Sequence, residues 1–115
     1  EPIVNLLVSN VMRTGVTSLV KSVSNELAPF GVRVNNIIPG FFSTSRLQSL
    51  DAASAEKQGI PVEEVTRERQ GAVPLGRDGD PKEFGRSAVF LMSDAAGYVT
   101  GHSFVIDGGA LRSLM

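Results

Sequence analysis

The sequence predicts an α/β fold built on a parallel sheet, and three observations carry that prediction. Two short β-branched runs, Val32-Arg33-Val34-Asn35-Asn36-Ile37-Ile38 and Ser103-Phe104-Val105-Ile106-Asp107, are separated by about 65 residues. A crossover that long between neighbouring strands implies parallel pairing with helices packed on the sheet. Ile37-Ile38 and Val105-Ile106 have the continuous apolar character of strands covered on both faces. Two strands alone cannot satisfy their outer edges, so the sheet is expected to continue into residues outside this chain.

Each element has its own signal. Across residues 5–30 the apolar positions Met12, Val16, Leu19, Val20, Val23 and Leu27 recur at intervals of three and four, the spacing of one helix face. Asn5 is a suitable N-cap, and Pro29 with Gly31 supplies the stop. Gly15 lies mid-helix at a propensity cost of about 1 kcal/mol relative to Ala, which points to close approach of another backbone or a ligand. The first strand follows over residues 32–38, buried at its Ile37-Ile38 end and closed by Pro39-Gly40. Thr44 or Ser45 then caps a helix over residues 46–58 with Gly59 as its left-handed terminator. Pro61, at a first helical position before Glu63 and Glu64, opens a short helix to residue 70. Both helices are polar and weakly patterned, as suits a lid. Asp80-Pro81-Lys82-Glu83 is a stronger start signal, with a capping Asp, Pro first and Glu third. It begins a helix over residues 81–93 whose inner side is Phe84, Ala88, Phe90, Leu91 and Met92. The second strand, residues 103–107, ends at Gly108-Gly109, and the apolar tail at residues 111–115 is expected to dock.

Composition narrows the function. The 115 residues carry 11 Lys and Arg against 12 Asp and Glu, a formal charge of −1, and no Cys or Trp. Without a basic cluster there is no footprint for nucleic acid or an anionic membrane surface, and no apolar run reaches the roughly 20 residues of a membrane span. The lack of Cys excludes a disulfide framework, a thiolate zinc site and a thiol nucleophile, and fits a reducing cytoplasm. His102 alone cannot build a metal site. The chain opens at Glu1-Pro2 without an initiator Met and is expected to begin partway through a larger domain.

Several motifs stand in a fixed order: Glu26-Leu27-Ala28-Pro29-Phe30-Gly31-Val32-Arg33-Val34-Asn35, Pro39-Gly40-Phe41-Phe42-Ser43-Thr44, Pro74-Leu75-Gly76-Arg77, Pro81-Lys82-Glu83, Phe90-Leu91-Met92-Ser93-Asp94, Tyr98-Val99-Thr100-Gly101 and Val105-Ile106-Asp107-Gly108-Gly109. Together they resemble the C-terminal half of a short-chain dehydrogenase/reductase, with greatest similarity to the 3-oxoacyl-[acyl-carrier-protein] reductase-like branch. The resemblance covers nearly the whole chain. It implies a Rossmann-type doubly wound parallel sheet whose last two strands are these, with residues 1–115 as the C-terminal part of a single oxidoreductase domain. The Gly-rich pyrophosphate turn at a helix N-terminus would belong to the absent N-terminal half.

The resemblance also implies site residues. The family's Tyr-x-x-x-Lys pair falls on Ser9 and Arg13, and no other register restores it, since four residues beyond the single Tyr, Tyr98, stands His102. A Ser hydroxyl is shorter and a much weaker acid than Tyr. Arg13 supplies positive charge and ribose hydrogen bonds but does not relay a proton as Lys can. Two readings therefore stand for Ser9, a rearranged active site or a structural role, and two for Arg13, a cofactor contact or a surface ion pair. Pro39, Gly40, Phe42 and Thr44 match the family's nicotinamide-side segment, where backbone amides and the Thr hydroxyl meet the carboxamide and Phe42 lies against the ring. An ordinary N-cap is the alternative for Thr44, and both roles are compatible. Arg77 and Asp80 read as a surface pair and a cap.

The function implied is hydride transfer between NADP or NAD and a small-molecule carbonyl or alcohol, of which a 3-oxoacyl thioester of fatty acid biosynthesis is the commonest in the family. The alternative is a dehydrogenase-like binding or scaffold subunit that has lost its acid catalyst. No metal, nucleic acid or membrane partner is expected. A homotetramer is expected first and a dimer next.

Overall fold

The computed structural model describes residues 7–112. In chain order it contains α1 (Leu7–Leu27), a 3-10 turn (Ala28–Phe30), β1 (Asn36–Pro39), α2 (Ser45–Gln58), α3 (Val62–Gly71), α4 (Pro81–Met92), a second 3-10 turn (Asp94–Ala96) and β2 (Ser103–Ile106). β1 and β2 form a two-stranded sheet. Asn36 N donates to His102 O and Gly40 N to Ile106 O, both at 2.8 Å. The partners advance together, from 36 to 40 on one strand and from 102 to 106 on the other, so the pair is parallel. Among the described residues no helix is long and apolar enough to cross a membrane. The described residues divide into two compact units, one drawn from residues 7–38 with 87–105, the other from residues 39–86 with 106–112.

In the first unit α1 ends at Leu27 and tightens into the 3-10 turn. Pro29 lies inside that turn and Gly31 closes it at φ 73°, donating to Ala28 O. The expected Asn5 cap lies outside the described residues. The apolar face of α1 stays open over its first half: Met12 and Val16 are 65% and 48% exposed. A Cβ on Gly15 would meet nothing within 4 Å among the described residues. The strand is shorter than the sequence suggested. Residues 32–35 are irregular, with side chains supplying part of their bonding: Val34 N donates to Thr100 Oγ1 (3.1 Å), Asn35 Nδ2 to Val99 O (2.9 Å), and His102 N to Asn35 Oδ1 (3.2 Å), beside the backbone bond from Gly101 N to Val34 O (2.7 Å). Ile37 and Ile38 are half-buried rather than buried. Arg33 donates to the carbonyls of Leu91, Ser93 and Val99, the first of them an orphan acceptor in the last turn of α4. The core is small, made of Leu91, Ala96 and the fully enclosed Ser24, whose hydroxyl donates to Lys21 O. Phe90 and Met92, expected inside, are exposed; only Leu91 at this end of α4 turns fully inward.

The second unit follows its caps closely. Thr44 Oγ1 accepts from Leu47 N at 3.3 Å, and Gly59 closes α2 in the left-handed region at φ 67°. Pro61 is the N-cap of α3 rather than its first residue. α4 opens with a reciprocal capping box, Glu83 Oε2 accepting from Asp80 N and Asp80 Oδ1 from Lys82 N, each at 2.8 Å. β2 ends at Ile106, one residue short of the expected Asp107; the Asp107 carboxylate instead accepts from Gly109 N and Leu111 N. The core consists of Ala55, Val65 and Val73, with Asp51 buried beside them. The tail positions 113–115 lie outside the described residues.

Candidate active site

Ser9 and Arg13 lie one turn apart in the first half of α1, so their side chains leave the same helix face. Ser9 is half-buried and Arg13 exposed. Arg13 makes no ion pair among the described residues. One turn further on, Thr17 Oγ1 donates to Arg13 O (3.1 Å) and accepts from Asn36 Nδ2 (3.4 Å). The helix carrying Ser9 and Arg13 is thereby tied to the start of β1.

In the second unit, Pro39, Gly40, Phe42 and Thr44 fall in one short strip leaving the C-terminal end of β1, the place where open α/β sheets bind ligands. The strip is held tightly. A Cβ on Gly40 would come within 2.5 Å of Asp107 Cα, so the backbone there tolerates only Gly. Phe42 pairs with Gly79 in an isolated parallel bridge: Gly79 N donates to Phe41 O and Ser43 N to Gly79 O, both at 2.9 Å. In such a bridge the central residue's own N–H and C=O point away from the partner strand. Neither Phe42 group has a hydrogen-bond partner among the described residues. The Phe42 ring meets Phe84 edge to face at 5.6 Å and covers the Cα of Gly79, where a Cβ would lie 2.6 Å from the ring. Thr44 is exposed and caps α2, so its cap role is realised while its hydroxyl stays accessible.

Beside the strip lies a cluster that sequence reasoning missed. Arg69 of α3 grips Asp51 of α2 through Nε–Oδ1 (3.1 Å) and Nη2–Oδ2 (2.7 Å), and also grips Asp78. Thr66 donates to Asp51 (2.9 Å) and Gln70 to Asp78 (2.9 Å). The guanidinium carbon stands 5.2 Å from the centre of the Phe41 ring, a cation–π distance. The Arg69 hydrogen bond, with that of Thr66, holds the Asp51 carboxyl below its ordinary value of 3.8 against the opposing effect of burial. Burial acts most strongly on Asp78, raising it, yet the bonds from Arg69 and Gln70 outweigh that and leave it lowered. The two carboxylates keep Arg69 firmly protonated. Arg77, expected in a surface pair, forms a bidentate one with Glu83 at 2.8 Å, which with the Asp80 amide brings Glu83 down to about 2.

A family model described as Enoyl-(Acyl carrier protein) reductase matches residues 2–110. The chain belongs to the short-chain dehydrogenase/reductase family. Among curated short-chain dehydrogenase/reductase relatives, L-rhamnose-1-dehydrogenase of Scheffersomyces stipitis is 37% identical over 102 residues, covering 89% of this chain and 36% of its own. Among solved structures, YwfH, an NADPH-dependent reductase involved in bacilysin biosynthesis, superposes with a TM-score of 0.91 at 29% identity, over 99% of this chain and 43% of that one. An NADPH-bound short-chain oxidoreductase from Pseudomonas aeruginosa PAO1, described as containing an atypical catalytic center, gives 0.80 at 32% identity over 98% and 42% of the two chains. This chain therefore spans less than half the length of the relatives it matches, and its two paired strands and helices are part of the family's α/β sheet fold.

Proposed function

We propose that the protein carrying these residues transfers hydride between a nicotinamide cofactor, NADP or NAD, and a small-molecule carbonyl or alcohol. The observation that carries this reading is the strip at residues 39–44, anchored to Gly79 so that the Phe42 N–H and C=O both have no partner among the described residues. A carboxamide needs one acceptor and one donor, and that pair, with the accessible Thr44 hydroxyl, fits it. Bound there, a nicotinamide supplies or accepts the hydride. Phe42 and Gly40 fix the strip, and Thr44 adds a hydroxyl bond. Arg13 offers a permanent cation for ribose hydroxyls, and Ser9 a hydroxyl at the family's acid position. Support also comes from relatives whose names specify NADPH-dependent reduction or sugar oxidation; a 3-oxoacyl thioester is the finer substrate reading. We take residues 1–115 to be the C-terminal part of one oxidoreductase domain, in keeping with the coverage of its relatives, in a cytoplasmic protein. The open apolar positions of α1 support self-association, and a homotetramer, then a dimer, is the assembly we take from the family resemblance.

A second reading, a binding or scaffold subunit, is favoured by one observation: Ser9 and Arg13 stand where the family has Tyr and Lys, and a positioned acid contributes about 10²–10⁴-fold. NADPH and NADH consumption by the full-length protein against a panel of ketones separates the two. Turnover weakened by Thr44→Val and by Arg13→Ala supports the enzyme. Cofactor binding without turnover on any substrate supports the scaffold, and no cofactor binding overturns both uses of the strip. Deleting residues 111–115 should lower the mass seen by light scattering; an unchanged mass removes the tail from assembly.

A further inference from the structure

We infer that Arg69 is a positioning residue for the strip at residues 40–44, acting through Phe41 and Asp78; its bearing on cofactor binding rests on the function proposed above. Three contacts converge on it. It joins α2 to α3 through Asp51. It holds Asp78, whose neighbour Gly79 makes both backbone bonds to Phe41 and Ser43. Its guanidinium lies against the Phe41 ring itself. One side chain thus fixes the strip twice, by the ring from one side and by the Gly79 rung from the other.

The electrostatics explain why this post is Arg. Two carboxylates, with side chains 8% and 13% exposed, share one cation, and Thr66 and Gln70 fill remaining lone pairs. A planar fork can serve both carboxylates and still present its face to an aromatic ring; a Lys ammonium, a point donor on a flexible stem, cannot do all three. Arg69→Lys therefore keeps the charge while releasing the ring and one carboxylate. The two weakly patterned helices are, on this view, a braced pair that holds the strip in place.

The test uses the full-length protein and two readouts. In the unliganded protein, amide exchange of the described strip should quicken about tenfold or more in Arg69→Lys while residues 103–106 are unchanged, since local opening is governed by local contacts. In fluorescence titrations with NADPH or NADH the same variant should weaken binding about tenfold, the scale expected when a positioned group loosens. Phe41→Leu should weaken binding similarly, and the double variant should add little to either single one, because the two residues form one unit. Val73→Ala, a core change in the same unit, is the control: it lowers the melting temperature without moving either readout. Asp78→Asn reads the same quantities if Arg69→Lys does not fold. Strip exchange and affinity unchanged in the Arg69 and Asp78 variants, or Arg69 and Phe41 effects that simply add, would overturn the inference. A wild-type protein that binds neither dinucleotide, with the exchange effect intact, would overturn the functional reading alone.

Discussion

Gly40 gives the sharpest test of how the end of β1 is built. A methyl at this position would lie 2.5 Å from Asp107 Cα, 2.6 Å from its Cβ and 3.3 Å from its carbonyl carbon. Ordinary carbon contacts are about 3.5–4.0 Å, so the overlap is about 1 Å and two of the three obstacles are backbone. No rotamer relieves it; the strands must part. Parting them stretches the Gly40 N–Ile106 O bond of 2.8 Å, worth about 0.5–1.5 kcal/mol, on top of about 1–3 kcal/mol for overpacking. Gly40→Ala should therefore destabilise the full-length protein by about 2–4 kcal/mol in a urea titration followed by circular dichroism. Gly79 provides the contrast. Its added methyl would strike only the Phe42 ring, at 2.6 and 2.7 Å, so shrinking that ring by Phe42→Val should recover much of the loss in Gly79→Ala, whereas no side-chain truncation recovers Gly40→Ala. At Gly85 a Cβ meets nothing within 4 Å among the described residues, and Gly85→Ala should stabilise α4 by about 1 kcal/mol. A Gly40→Ala protein as stable as wild type would refute the close backbone approach and with it the anchoring of the strip.

Two further outcomes follow from the charged groups. Asp51, Asp78 and Glu83 all titrate below their ordinary values of 3.8, 3.8 and 4.5. Their contribution is therefore present above those values and is lost as pH falls through the folded ones, about 2 for Glu83. The melting temperature should be flat from about pH 7 to pH 5 and fall below about pH 4.5, less steeply in Asp78→Asn; a slope already present between pH 7 and 5 would point to other groups. Arg33→Ala takes the donor from Leu91 O, while Ser93 O and Val99 O keep Ala96 N and Asn35 Nδ2, and should cost about 1–3 kcal/mol in the same titration. Arg33→Lys should recover part of it, and a neutral Arg33→Ala would mean water serves that carbonyl equally well.

What the sequence showed and what it hid divide by range. The caps at Thr44, Gly59 and Asp80-Pro81-Lys82-Glu83 were legible because each satisfies backbone groups within one turn, so a few adjacent residues decide the outcome. Both strands were legible in place but not in length. Residues 32–35 have strand-like side chains, yet Asn35 and Thr100 offer the backbone better partners than a ladder does, and that competition depends on a residue 66 positions away. The inner side of α4 was legible at Phe84, Ala88 and Leu91 but not at Phe90 and Met92: periodicity marks which side chains are apolar, and Met92 at 75% exposed shows that being apolar does not say what covers a residue.

The candidate site divides the same way. The Pro39-Gly40-x-x-x-Thr44 spacing announced a strip at the mouth of β1, and every named residue of it lies there. What orients the strip was invisible, because Asp51, Arg69 and Asp78 are separated by 18 and 9 residues in polar segments that read as solvated lid surface. A charged residue in a polar helix carries no local mark of burial, since its partners come from other elements and two Asp flanking one Arg leave no excess of charge in any short window. The useful signal would have been energetic: helices as polar as α2 and α3 bury little apolar surface, so a fixed polar brace was to be looked for, and among the described residues the Arg of α3 that meets carboxylates before and after its helix, Asp51 and Asp78, is Arg69.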